Sequence, residues 1–133
     1  MKKLISIVLS VMLLLSTNAI AEVGDTTVID VIGTKPDSSE AVLLLHQMRP
    51  WNVESRNLLE KKLEFYETVI RTGALTKQRP DTSGKNFRVV VIYADSPPED
   101  ALELLSKTKT RMFENKIVLR WGRQQDIAKL VSN

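Results

Sequence analysis

The 133-residue chain has no cysteine and a single histidine, His46. Without thiols it can form no disulfide, carry no thiol nucleophile and hold no iron–sulfur cluster. One histidine and no cysteine also exclude the usual structural zinc sets, and nothing in the sequence implies a cofactor. No GxSxG, HExxH, phosphate-cradling glycine loop or kinase signature occurs. Internal repeats and low-complexity tracts are absent as well. So is a membrane-length apolar run: the most apolar stretch, Leu4 to Leu15, would span about 18 Å as a helix, against roughly 30 Å of bilayer hydrocarbon.

That short run has a different use. Lys2 and Lys3 precede it and Ala19-Ile20-Ala21 follows it, which is the pattern of an export signal cut after a small-x-small site. The expectation is a cleaved signal peptide over 1–21, with the cut between Ala21 and Glu22, and one domain over 22–133. The signal has no cysteine to carry a lipid, and no membrane anchor is expected once it is removed. Its short charged and apolar regions suit a Gram-negative bacterium, so the mature protein is expected in the periplasm or outside the cell. Losing Lys2 and Lys3 lowers the formal charge from +3 to +1, with 17 Lys+Arg against 16 Asp+Glu. A near-neutral chain gives no reason to expect a nucleic-acid partner.

The mature chain reads as alternating short strands and longer helices. Val28 to Gly33 is a β-branched strand, Thr34 to Ser39 a turn, and Ala41 to His46 a second strand. Asn52 is placed to cap a helix over about Val53 to Thr72, with Gly73 as its left-handed stop. Leu59, Leu63, Tyr66 and Ile70 fall on one stripe of that helix, flanked by Leu58, Phe65 and Val69. Glu60, Lys61, Glu64, Glu67 and Arg71 fall opposite, as a solvated face. Thr76 to Asn86 reads as a polar loop, and Phe87 to Ala94 as the strongest strand. Ser96-Pro97-Pro98-Glu99 reads as a capping box with proline in the first turn. The helix it opens runs to about Glu114, with Ala101, Leu105, Thr108 and Met112 inward. Ile117 to Trp121 is the fourth strand, and Ile127, Leu130 and Val131 mark a short C-terminal helix.

The expected class is therefore α+β, in the order β-β-α-β-α-β. Each β-α-β passage implies a right-handed parallel crossover, so strands two to four should be parallel and strand one antiparallel, in a mixed four-stranded sheet. Strands two and three are apolar on both faces, as in a sheet covered on both sides. Two main helices on one face would leave the other seeking a partner, the C-terminal helix or a second copy of the chain.

The pattern resembles an uncharacterised bacterial family, domain of unknown function 6572. The likeness rests on Ile29-Asp30-x-Ile32-Gly33, Val42 to Leu45 and Trp51. It continues through Leu63-x-x-Tyr66-x-x-x-Ile70-x-x-Gly73, Pro97-Pro98 and Leu119-Arg120, and so spans nearly all of the mature chain. It implies a compact α+β fold and brings no activity with it.

Parallel strands gather their carboxyl ends on one sheet edge, where open α/β sheets usually bind ligands. That edge is expected to collect His46, Arg49, Trp51, Asp95, Ser96, Arg120, Trp121 and Arg123. A His46–Asp95 pair could orient an imidazole as a general base. The plainer reading makes Asp95 and Ser96 helix-start residues, Trp51 a staple for the first helix and Trp121 a cover for the sheet edge. Lys77, Arg79, Lys85 and Arg88 make the loop before strand three basic, either as a solvated surface or for an acidic partner. Asp30 is expected to turn outward from an edge strand. The functional expectation is a non-catalytic binding module, working on a protein partner or as a homodimer. Its rivals are a small hydrolase using His46 and Asp95, and an inhibitor or immunity-type protein that docks a toxin or envelope enzyme.

Overall fold

A computed structural model describes residues 29–34 and 37–132; the expected signal and its Ala21–Glu22 cut lie outside them. β1 (Val31–Thr34) and β2 (Glu40–Gln47) pair antiparallel, with Val31 opposite Leu44. β3 (Asn86–Tyr93) and β4 (Ile117–Arg123) then add in parallel, giving the sheet order β1-β2-β3-β4. The mixed α+β sheet is the one the β-α-β passages require. The connecting helices are α1 (Val53–Arg71) and α3 (Glu99–Glu114).

Local chemistry sets α1 well. Asn52 accepts the Ser55 N–H at 2.8 Å, and Ser55 Oγ accepts the Asn52 N–H at 2.9 Å, closing a reciprocal box. Gly73, at φ +83°, takes the left-handed turn that ends the helix region. The start of α3 differs from expectation. Pro98, not Ser96, stands at its N-cap with extended backbone, and no side chain caps it. A proline restricts the residue before it to extended geometry, so Pro97 cannot begin a helix while Pro98 follows. Ser96 Oγ instead receives a hydrogen bond from Arg123 at 2.8 Å.

The segment expected as a plain polar loop also folds locally. α2 (Ala74–Gln78) buries Leu75, and a 3-10 turn over Pro80–Thr82 buries Thr82. Its basic cluster is taken apart by pairing. Arg79 is buried and its Nε binds Asp81 at 2.9 Å; Asp81 also accepts from Thr34 at 2.7 Å. Burial raises the Asp81 carboxyl, but the Arg79 and Thr34 bonds outweigh it and hold the group below 3.8. Lys85 reaches the Ser38 carbonyl, and buried Arg88 binds Glu40 at 3.0 Å. Only Lys77 of the four is exposed.

Strand parity divides the core. Leu43, Leu45, Val89, Val91, Ile117 and Leu119 face α1 and α3, where they meet Leu59, Leu63, Tyr66, Leu105 and Met112. Glu67, expected in solvent, is buried and ties the two helices through Arg111 at 2.9 Å and Asn115 at 3.2 Å. Leu44, Val90 and Ile92 face the other way. Of the three covers expected for that second face, the C-terminal helix is the one present: α4 (Ile127–Val131) packs on it with Ile127, Leu130 and Val131. Leu130 lies over Gly122, where an added Cβ would come within 2.6 Å of its Cδ1. Arg88 Nη1 donates to the carbonyls of Leu130 (3.3 Å) and Ser132 (2.7 Å), holding the tail in place.

Candidate functional site

The carboxyl ends of β2, β3 and β4 do share one edge, and the start of β1 joins them because β1 runs antiparallel. Asp30 sits there with both carboxylate oxygens engaged. Oδ2 accepts the His46 backbone N–H at 2.7 Å, and Oδ1 binds the ammonium of Lys62 on α1. The Asp30 N–H donates to Tyr66 Oη at 2.9 Å, and Tyr66 in turn donates to the Leu44 carbonyl at 2.8 Å. Asp30 is thus held inside, not turned outward. An antiparallel edge strand begins where α1 crosses, so the carboxylate meets a cation and a backbone N–H before it meets water. Burial raises its pKa, but the His46 hydrogen bond and the Lys62 charge outweigh that and hold it below 3.8. Burial, reinforced by the Asp30 charge, pushes the Tyr66 phenol well above 10. This network ties β1, β2 and α1 together.

His46 is half-buried, and its Nδ1 lies 3.8 Å from Asp30 Oδ2. The carboxylate beside it is therefore Asp30, not Asp95. The Asp95 side chain is exposed and makes no hydrogen bond or ion pair among the described residues. Its carbonyl accepts Trp51 Nε1 at 2.7 Å, and the Trp51 ring meets Tyr93 edge-on at 6.3 Å. Trp51 staples the entry of α1 to the end of β3, as the plainer reading has it. Trp121 packs against the main core under Lys109, whose Nζ stands 5.8 Å from the ring centroid.

The expected site residues do not converge on one point. Register places His46 and Arg120 on the α4 side of the sheet, whereas Trp51 and Trp121 lie on the α1/α3 side. Arg49 and Arg120 are half-buried, and neither guanidinium has a partner among the described residues. Around Arg49, the shoulder from Met48 to Val53 leaves Met48 41% and Val53 66% exposed. The shoulder thus brings together an unpaired cation, two exposed apolar side chains and a fixed indole. Ser106-x-x-Lys109 has the Ser-x-x-Lys spacing on α3, but both residues are exposed and Lys109 faces Trp121. Among the described residues no group of three or more His, Asp or Glu could hold a metal, and no helix is long and apolar enough to cross a membrane.

The fold and this edge define a mixed α+β domain in which the Asp30 ion network lies beside the exposed Met48–Val53 shoulder. Residues 21–125 match the model of a family of unknown function, DUF6572, and the chain belongs to that family. No curated protein and no solved structure matches the chain.

Proposed function

We propose that the protein is an exported, non-catalytic interaction module that contacts a protein partner through the Met48–Val53 shoulder. One observation carries this reading: Met48 and Val53 are two of only four large apolar side chains exposed among the described residues, and they flank unpaired Arg49 and fixed Trp51. Tryptophan and arginine are the residue types that dominate interface energetics. With α4 over the second sheet face, that face no longer calls for a second copy of the chain, and the shoulder favours a different protein. An acidic partner surface suits Arg49.

The test places a photo-crosslinking residue at Met48 or Val53 of the full chain in cells. A discrete adduct is expected, and Arg49→Glu should remove it. Absence of any adduct at both positions sinks the reading, and an adduct with a second copy replaces it with a homodimer. Fractionation and N-terminal sequencing should find the chain in the periplasm, beginning at Glu22.

A further inference from the structure

The two sheet edges are not alike. β1 has four residues, and Asp81 hydrogen-bonds Thr34 at its end. β4 has seven, and among the described residues no strand lies beyond it. Its outer backbone donors and acceptors form a template for one more strand.

The helix beside that edge presents the right side chains. On α3, Arg111 and Asn115 reach toward α1 through Glu67, while Lys109 reaches the other way, over Trp121 of β4. At 100° per residue, Leu102 and Phe113 share the Lys109 flank. They are 39% and 70% exposed, and complete the set of four exposed large apolar side chains. An open strand thus runs beside a helix flank that offers apolar contacts, which is the arrangement that captures extended peptides by strand addition.

Charge identifies the occupant. Lys109, Lys116, Arg120 and Arg123 border the edge and β4 carries no acidic residue; Glu99, Glu103 and Glu114 of α3 lie beyond Phe113, on the helix face turned away from the sheet. Arg120, at the middle of β4, has no partner among the described residues. A second copy pairing antiparallel about that midpoint would set Arg120 against Arg120, and directly opposed like charges destabilise a strand pair. We infer that the β4 edge and the outer flank of α3 form a groove that binds an extended acidic segment of another protein as a fifth strand. The segment would alternate apolar residues toward Leu102, Phe113 and Trp121 with carboxylates toward Arg120. The groove is separate from the Met48–Val53 shoulder and does not depend on it.

Two capped heptapeptides serve as probes, one alternating valine with glutamate and the other valine with lysine. They are titrated into the isotope-labelled protein at low and high salt. The glutamate peptide should shift the amides of residues 109–123 and bind at least roughly tenfold more tightly than the lysine peptide, with the preference fading in salt. Arg120→Glu should reverse the preference. Phe113→Ala, at an exposed position that leaves the core intact, should weaken both peptides. Arg49→Glu should change neither, which separates this groove from the shoulder. Equal or absent binding of the two peptides, shifts confined to other strands, or a dimer that occupies β4 in sedimentation without peptide would each overturn the inference.

Discussion

One face of the sheet is closed by helices of 19 and 16 residues, the other by a helix of five. The first has a continuous core from Leu59 and Leu63 through Leu43 and Val91 to Leu105 and Met112. The second has three buried residues, Leu44, Val90 and Ile92, under a short lid held by Leu130 and Arg88. Both leave their strand residues dry: Val89 and Val90 are alike in having no exposure. Dryness of a strand therefore says little about how much structure stands behind it. The thick face should carry stability, and the thin face should be the first to open.

Three measurements press on that difference. Leu63→Ala, on the thick face, should cost about 3 kcal/mol in urea denaturation, because the surroundings cannot collapse into the space. Leu130→Ala, on the half-exposed lid, should cost about 1 kcal/mol, and equal losses would abolish the distinction. Between them falls Lys62→Met, at about 2 kcal/mol, since it leaves Asp30 largely buried with only His46, through its backbone N–H and nearby imidazole, beside the carboxylate. Its pH dependence has a definite sign. Asp30 titrates below 3.8 in the folded chain, so its stabilisation is complete above that pH and is lost as pH falls through the folded value. The gap between wild type and Lys62→Met should accordingly close in strong acid. A gap that stays constant would mean that Lys62 acts by packing alone.

The parts of this fold that rest on near neighbours were legible in the sequence. Asn52, Gly73 and the inward row Ala101, Leu105, Thr108 and Met112 act within a turn or two of themselves, and all take their expected places. Strand parity and the crossover rule likewise gave the parallel sheet. Two failures are local, the Ser96 cap displaced by Pro97–Pro98 and the loop that folds around Arg79 and Asp81; the others involve partners far along the chain. Asp30 meets Lys62, Glu67 meets Arg111, and Arg88 meets the carbonyl of Ser132. A charge destined for such a partner looks the same in sequence as one destined for water. Asp30 within an apolar stretch and Lys62 beside Leu63 were the available signals, and each is weak alone. At the sheet edge, Trp51 behaves as its neighbours suggest, whereas His46 exchanges Asp95 for Asp30 because β1 brings a carboxylate that the parallel strands lack.

Arg88 is a flat five-pronged fork, and its prongs reach both Glu40 on the neighbouring strand and two carbonyls of the tail. A lysine there would keep the positive charge but offer a single rounded ammonium, unable to span strand and tail at once. Position 88 therefore selects for shape rather than for charge. A relative with lysine at this place would have to fasten its lid by some other route.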